Sequence, residues 1–198
     1  MQTTKDNRSL AIGLALGAAL LLAFAAFSRT WVARPNGIGF GPMGCSKCNV
    51  AVARSVDAPE PSSAMSNSAF MDMLRATGAD DRYTSSAFAP MGWATFGLCL
   101  LAALGLLGAA GIALGHKRPD LPIAPTTVAL LATMLALITG CVFVATKPGG
   151  PGFVGVAMGF WAFGIGAVMA IAAAQMLAKI NRPIDPDLLA DAMNPEQY

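Results

Sequence analysis

Charged side chains are missing from four long stretches of this sequence, at residues 10 to 27, 90 to 115, 122 to 146 and 152 to 178. None of these stretches contains Asp, Glu, Lys, Arg or His. Ionisable residues inside a membrane are costly and mark ion paths, proton relays or voltage sensors. Their absence disfavours such functions. A small-solute channel or transporter is also disfavoured, because only scattered Thr, Cys and Gln175 remain to line a path.

Histidine is almost as scarce, since His116 is the only one in the chain. A transmembrane b-type haem usually needs histidine ligands, and a hydrolytic triad needs a histidine base, so both are disfavoured. Tetrahedral zinc needs more ligands than Cys45 and Cys48 supply. The formal net charge is only +2, and no basic stripe accompanies it, which argues against a nucleic-acid partner. The sequence therefore predicts no metal and no cofactor.

Each of the four uncharged stretches is long enough to cross a membrane. The hydrocarbon core is roughly 30 Å thick and a helix rises about 1.5 Å per residue, so about 20 apolar residues suffice. Over the whole chain 55% of residues are hydrophobic and 12% are charged, a balance untypical of a water-soluble domain. The predicted fold is an all-α membrane protein, a four-transmembrane-helix bundle with a long, partly structured first outer loop.

Basic residues indicate how the chain is oriented, because Lys and Arg are enriched in short cytoplasmic flanks. Three short flanks carry them here, as the pairs Lys5 and Arg8, Lys117 and Arg118, and Lys179 and Arg182. Both termini are therefore predicted to be cytoplasmic, in a plasma membrane or a bacterial inner membrane. The predicted segments are a tail at 1–9, spans at 10–27, 90–115, 122–146 and 152–178, an exported loop at 28–89, a cytoplasmic turn at 116–121, an outer turn at 147–151 and a cytoplasmic tail at 179–198.

The first span could instead be a secretory signal peptide. Lys5 and Arg8 precede it, and Ala25, Ala26 and Ser28 offer small side chains around a cleavage site. The hydrophobic region of a signal peptide usually runs about 7 to 15 residues. The stretch from Leu10 to Phe27 is longer, which favours a helix that is retained in the membrane.

The exported loop contains signals for local structure. Residues 50–56 contain enough β-branched side chains to predict a short strand. Residues 57–63 are rich in Pro and Ser and are predicted to form a turn region. Ser66 or Ser68 can cap a short helix that stops at Gly78. The apolar residues of this helix share one face, namely Phe70, Met71, Met73 and Leu74. About sixty residues of this composition are too few for an independent core, so we expect the loop to pack on the outer ends of the spans.

Glycines recur four residues apart in three of the spans. Such spacing leaves a flat ridge on which another helix can approach closely. The pairs are Gly13 and Gly17, Gly111 and Gly115, and Gly155 and Gly159, with Gly164 and Gly166 extending the last ridge. The spacing favours packing within the bundle, and contact with a second copy is the alternative.

Aromatic residues lie at two kinds of position. Trp31 follows the first span and Trp93 begins the second, where an indole ring can sit in the headgroup layer. Both are predicted to be interface anchors on the outer face. Phe160, Trp161 and Phe163 lie within the fourth span, where we expect them to fill gaps beside the glycines.

The pair Cys45 and Cys48 is the one constellation with possible reactivity. On an exported loop a disulfide is the default state of such a pair. A redox centre would gain from Lys47 as a neighbour of a thiolate and would need a further acceptor, but no second exported pair offers a relay. A structural staple needs only the two sulfurs and is favoured. Cys99 and Cys141 lie inside spans and are expected to behave as small apolar residues.

The layout resembles the claudin and peripheral-myelin-protein superfamily of four-span membrane proteins. Both have a short cytoplasmic N-terminus, a large first outer loop with a cysteine pair, a basic cytoplasmic turn and a short second outer loop. Trp31 is similar to the first tryptophan of that family's signature. Residues 37–40, before Cys45 and Cys48, partly resemble the glycine-aromatic-cysteine segment of the signature. Phe40 replaces the second tryptophan, and the two-residue spacer between the cysteines is shorter than the family's. The resemblance implies a left-handed four-helix bundle with a small outer β-layer.

Two functional classes follow. The favoured one is a non-enzymatic membrane protein whose stapled outer loop makes protein contacts, in cell contact, membrane organisation or as an accessory subunit. Its partners would be the bilayer and either another protein or a second copy, bound through the outer loop or the glycine ridges. The alternative is a thiol-disulfide oxidoreductase that uses Cys45 and Cys48, by analogy with quinone-linked disulfide-forming proteins and the vitamin K epoxide reductase family. Those proteins typically pair two cysteine motifs, whereas this chain exports one.

Overall fold

The computed structural model of the protein describes residues 2–33, 38–48, 64–76, 85–116, 122–148 and 155–181, with side chains from residue 7 onward. Its five helices in this part of the chain are α1 Gln2–Phe27, α2 Asn67–Ala76, α3 Phe88–Ala113, α4 Pro125–Ala145 and α5 Met158–Ile180. All but α2 are long and apolar enough to cross a membrane. The predicted fold class, a four-span helical bundle with a structured loop, is confirmed.

Small residues form the centre of the bundle. The buried positions of α1 alternate in steps of four and three, at Ala11, Ala15, Ala18, Leu22 and Ala25. Larger apolar side chains such as Leu20, Leu104 and Val168 lie exposed on the outside. Membrane helices pack through small residues because hydrocarbon solvates large apolar side chains as well as the protein interior does. This distribution fits a bundle that is surrounded by lipid.

Three threonine hydroxyls inside the bundle are hydrogen-bonded, those of Thr95, Thr133 and Thr139. Thr95 on α3 donates to the carbonyl of Met91 at 2.7 Å and lies 2.9 Å from the hydroxyl of Thr139 on α4. Thr133 donates to the carbonyl of Ala129 at 2.7 Å. All of these bonds satisfy a polar group without water, and the one between Thr95 and Thr139 also ties α3 to α4.

A small antiparallel sheet covers the end of the bundle where α1 and α4 finish and α3 and α5 begin. Its strands are β1 Val32–Ala33, β2 Gly39–Gly41, β3 Gly44–Ser46, β4 Ala64–Met65 and β5 Gly155–Val156, in the order β4-β3-β2-β1-β5. Val32 pairs with Phe40 on one side and with Val156 on the other. Together with α2 this sheet is called the cap below.

The strand β5 changes the predicted start of the fourth span. The apolar run predicts that residues 152–157 are helical, and of these the structure describes 155–157. The structure instead pairs Gly155 and Val156 with β1, and the amide of Ala157 donates to the carbonyl of Trp31 at 2.8 Å. Helix α5 therefore begins at Met158. Both connections on this side of the bundle contribute to one sheet.

Helix α2 forms where the sequence predicts it. The hydroxyl of Ser66 accepts a hydrogen bond from the amide of Ala69 at 3.2 Å, so Ser66 is the N-cap. Phe70 and Met71 are buried against the rest of the cap and the bundle. The strand predicted at residues 50–56 and the stop at Gly78 lie outside the described residues.

Polar side chains from α1 and α5 close the opposite end of the bundle. The guanidinium of Arg8 donates to the carbonyl of Ala113, and the amide of Asn181 donates to the carbonyl of Ala109 at 3.0 Å. Gly115 has a positive φ of 98°. The amide of His116 reaches the carbonyl of Gly111 at 3.2 Å and that of Gly115 reaches Ile112 at 3.0 Å, the two bonds of a Schellman cap. Gly115 thus ends α3.

Candidate functional site: the disulfide-stapled cap

Cys45 and Cys48 form a disulfide in the cap. Cys45 lies in β3, and Cys48 follows it after a tight turn, with 6.1 Å between the two Cα atoms. Lys47 adopts a left-handed conformation in this turn, at φ 55°, and its side chain is exposed. Both cysteines are 0% exposed. Solvent therefore reaches the lysine of the turn but not the disulfide.

Burial limits the chemistry of this bond. Exchange requires a thiolate to attack one of the two sulfurs, so its rate depends on access. Cys45 is paired across the sheet with Phe40 on one side and Met65 on the other. Cys45 therefore lies between two neighbouring strands of the sheet, and the disulfide holds Cys48 against the end of β3.

Small and large residues alternate along β2. This alternation lets the strand lie between the chain that leaves α1 and the helices. A Cβ at Gly39 would lie 2.9 Å from the carbonyl oxygen of Arg29, and one at Gly41 would collide with the carbonyl of Ser28. Phe40 is buried, with its ring 5.1 Å from that of Phe70 in α2. The Gly-Phe-Gly pattern therefore lets β2 touch backbone through its glycines while Phe40 packs in the core.

Glycine is also required where β3 begins. Gly44 has φ 152°, and a Cβ there would collide with the carbonyl oxygen of Met65 in β4. A side chain at this position would separate β3 from β4 immediately before the disulfide. The short spacing between β3 and β4 thus depends on Gly44.

Asn67 joins α2 to the hairpin between β2 and β3. Its side chain is 1% exposed, and its amide nitrogen donates to the carbonyls of Gly41 at 3.0 Å and Pro42 at 3.2 Å. Its Oδ1 atom is buried and has no hydrogen-bond partner among the residues that the structure describes. A Cβ at Gly92 of α3 would lie 2.9 Å from the amide nitrogen of Asn67. Asn67 therefore contacts both the sheet and the bundle, a role that its place before an apolar helix face does not signal.

Trp31 is a buried core residue at the junction of α1 and the cap, and not an interface anchor. Its ring is 0% exposed, and its indole N–H donates to the carbonyl of Ala25 at 2.7 Å. It stacks on Phe163 of α5 at 4.6 Å and meets Phe143 of α4 edge-on at 6.0 Å. The chain turns back over the helix end after α1, which places the indole between helices instead of in the headgroup layer.

The ring contacts of Trp31 continue into the cap. Phe143 stacks on Phe88 of α3 at 4.7 Å, and Phe88 meets Phe40 edge-on at 5.9 Å. We call these rings the aromatic cluster, whose members are Trp31, Phe40, Phe70, Phe88, Phe143, Phe160 and Phe163. Aromatic pairs contribute about 0.5–1.5 kcal/mol each beyond the area that they bury. The cluster therefore makes the cap and the bundle one hydrophobic core.

The other predicted aromatic positions differ from one another. Trp93 is 50% exposed and meets Phe96 edge-on at 5.7 Å, so its role as an anchor stays a prediction. Phe163 is buried and Phe160 partly buried, as expected of gap-filling residues. Trp161 is 62% exposed and does not fill a gap in the bundle. All three of these α5 residues lie in its first turns, near the cap.

The predicted glycine ridges separate into contacting and open positions. A Cβ at Gly159 would collide with the hydroxyl of Ser28 and lie 2.7 Å from Cδ1 of Trp31, while one at Gly17 would meet the end of Met169. The other four have no neighbour within 4 Å in the described part of the chain, namely Gly13, Gly111, Gly115 and Gly155. A spacing of four residues recurs on every face of a helix, so it does not indicate which face meets a neighbour.

The close approaches between helices involve glycines at other positions. A Cβ at Gly105 of α3 would lie 2.9 Å from the backbone nitrogen of Ala129 in α4, and one at Gly140 would lie 3.1 Å from the ring of Phe163. A Cβ at Gly166 of α5 would lie 3.3 Å from the backbone nitrogen of Leu22 in α1. Of the ridge predicted on the fourth span, Gly159 thus faces the chain that follows α1, Gly166 faces α1 itself, and Gly164 meets no described atom within 4 Å.

In the described part of the chain, the remaining cysteines and the groove between α1 and α3 form no cluster of reactive side chains. Cys99 is buried in α3 and Cys141 is exposed on α4. Within the described ranges no three His, Cys, Asp or Glu side chains are grouped to hold a metal ion. A groove of about 540 Å³ between α1 and α3 is lined by leucine and alanine alone. Such a lining has no polar group to orient a substrate.

No known family model matches the sequence, and no curated protein is significantly similar to it.

Proposed function

We propose that this chain is a non-catalytic integral membrane protein whose cap contacts other proteins at the outer face of the membrane. The observation that carries the proposal is the complete burial of Cys45 and Cys48. A buried disulfide suits a rigid surface and not a site of exchange. The aromatic cluster supports the same conclusion, because it joins the stapled cap to the helices.

The proposed orientation places the cap outside and both termini in the cytoplasm. Two observations support it. At the opposite end of the bundle the structure describes Arg8 and Lys179, which belong to two of the basic pairs in the short flanks. The cap contains the disulfide, a bond that persists on the oxidising side of a membrane.

The exposed surface of the cap favours polar contacts. Helix α2 buries Phe70 and Met71 and exposes the opposite face, which carries an ion pair between Asp72 and Arg75 at 3.2 Å. Surface pairs of this kind contribute little stability, about 0–1 kcal/mol. They are available to a partner, and a polar, solvated surface is typical of non-obligate interfaces.

The proposal includes membership of the claudin and peripheral-myelin-protein superfamily. The antiparallel sheet supports it, since strands from both connections on one side of the bundle form the β-layer that the resemblance implies. Cell contact, membrane organisation and an accessory role in a membrane complex are the proposed settings. In this account Phe40, which stands where the family has its second tryptophan, packs in the same core as Trp31.

Measuring the oxidation state of Cys45 and Cys48 distinguishes this proposal from the oxidoreductase alternative. Alkylation and mass measurement of protein from untreated cells should find Cys45 and Cys48 almost wholly oxidised. Replacing both by Ser should lower stability by about 2 kcal/mol, the loop-closure contribution of so short a ring, and should lower abundance with it.

A catalytic pair would behave differently in the same assay. A Cys48→Ser variant would leave Cys45 to form a mixed disulfide with its substrate, because exchange passes through that intermediate. Lys47→Glu is the matched control, since it would slow exchange by a reactive thiolate and leave a buried staple unchanged. A Cys45 adduct at normal protein abundance would replace the non-catalytic proposal with an oxidoreductase.

A further inference from the structure

Gln175 is a polar residue in an apolar setting that the bundle does not use. It carries the only side-chain amide in the four uncharged stretches. Its side chain is exposed on α5 and makes no hydrogen bond within the part of the chain that the structure describes. An amide that faces hydrocarbon without a partner is costly, so its presence needs a reason.

The position of Gln175 along α5 places it inside the membrane. It lies five residues before the end of the helix at Ile180, which is about 7.5 Å at the rise of an α-helix. Lys179 follows one turn later and is exposed, so its ammonium group can reach the headgroup layer. Gln175 is therefore one turn deeper than the residue that marks the interface.

Gln175 belongs to a regular seam on the outward face of α5. The seam residues alternate in steps of three and four and are exposed, apart from the partly buried Ala172, in the order Met158, Trp161, Ile165, Val168, Ala172, Gln175 and Lys179. This spacing is that of helices packing in a left-handed pair. The outward face of α4 has the same spacing but no amide, which makes it a control for the seam.

Small residues lie in this seam and at its edge. Ala172 is the seam residue next to Gln175, and Gly164 lies at the edge of the seam between Trp161 and Val168. A Cβ at Gly164 would meet no atom within 4 Å, so no part of the described chain packs on this glycine. Small side chains let two helix backbones approach closely. Gly164 is thus free to accommodate a helix from outside the chain.

We infer that α5 is a self-association helix, through which two copies of the chain pair in parallel with their Gln175 amides hydrogen-bonded to each other. A second copy fits because the amide is both donor and acceptor, and a two-fold axis places each residue of the seam opposite itself. Two copies inserted in the same orientation present their α5 helices in parallel. This inference is independent of what the cap contacts, because the seam lies along the membrane-spanning surface.

Association of the full chain in lipid vesicles tests the inference. Copies labelled with donor and acceptor dyes at Ser9→Cys, on a Cys141→Ser background, should show energy transfer that falls as lipid dilutes the protein. Gln175→Leu should weaken association about tenfold, the typical effect of losing one hydrogen bond between membrane helices. Met134→Leu, on the outward face of α4, should leave association unchanged.

Cysteine cross-linking identifies the face that is used. On the same Cys141→Ser background, Val168→Cys should form a disulfide between copies on oxidation, because residues of the seam face each other. Ile138→Cys, near the middle of the outward face of α4, should cross-link only at the level of random collision. A monomer at every dilution, equal cross-linking at the two positions, or unchanged association of Gln175→Leu would each overturn the inference.

Discussion

Replacing Trp31 by Ala should lower the free energy of unfolding by about 3–5 kcal/mol, the usual cost of truncating a buried aromatic side chain. The ring is fully buried, stacks on Phe163 at 4.6 Å and donates to the carbonyl of Ala25 at 2.7 Å. Its loss would open a cavity where α1, α4, α5 and the cap meet. Trp31→Phe should cost less, because the ring contacts remain and only the indole hydrogen bond and some volume are lost.

The matched control for this prediction is Trp93→Ala. Trp93 is half exposed and meets Phe96 from the side, so its removal should cost about 1 kcal/mol or less in detergent. Denaturation of the purified variants in mild detergent measures both effects. If the two replacements lower the free energy of unfolding equally, Trp31 is not the residue that joins the cap to the bundle.

The second large effect is expected at Gly159. Leu at this position should lower the free energy of unfolding by about 1–3 kcal/mol or more, because its side chain would overlap Ser28 and Trp31 and force them to move. The hydroxyl of Ser28 can rotate away, but the indole is held on several sides by the aromatic cluster. The overlap therefore has to be relieved by a shift of α5 or of the chain after α1.

Gly13→Leu is the control for Gly159→Leu. Gly13 has the same sequence spacing in α1, yet a Cβ there would meet no atom of the described residues within 4 Å. Leu favours helix over Gly by up to about 1 kcal/mol, so this variant should be as stable as the parent protein or slightly more stable. The melting temperatures of the two variants, measured in the same detergent, test this difference in stability. Equal destabilisation would mean that the contacts of Gly159 are not specific.

The four helices could be predicted from the sequence because their signal is composition summed over twenty or more residues. Helix α2 could be predicted because Ser66 and the apolar face at Phe70 and Met71 are local signals. The strand β5 could not, since Gly155 and Val156 pair with β1, more than a hundred residues earlier. A two-residue strand has no periodicity of its own, and the apolar run around it also fits a helix.

Side-chain roles within the candidate site depended on tertiary contacts. Trp31 stands next to a span end, which is where both interface anchors and buried junction residues occur, and only the fold of the chain over the helix end distinguishes the two. The glycine spacing was equally ambiguous, because Gly13 and Gly159 share the pattern and differ in the face that they occupy. Asn67 gave no signal, since its partners are the carbonyls of Gly41 and Pro42 in a distant hairpin.

The cysteine pair could be identified from its spacing, but its chemistry could not. Cys-x-x-Cys is compatible with a staple and with a redox centre. The choice between them depends on whether a thiolate can reach the sulfurs. Strands β2 and β4 flank Cys45 on its two sides, and these neighbours come from segments with little local signal.

The most direct test of the account is which side of the membrane the cap occupies. Single cysteines at Ser68, on the exposed face of α2, and at His116, at the opposite end of the bundle, can be introduced on a Cys141→Ser background. With an impermeant thiol reagent and an intact membrane, Ser68→Cys should label and His116→Cys should label only after permeabilisation. Labelling of His116→Cys in intact cells would contradict a four-span protein that presents its stapled cap to the outside.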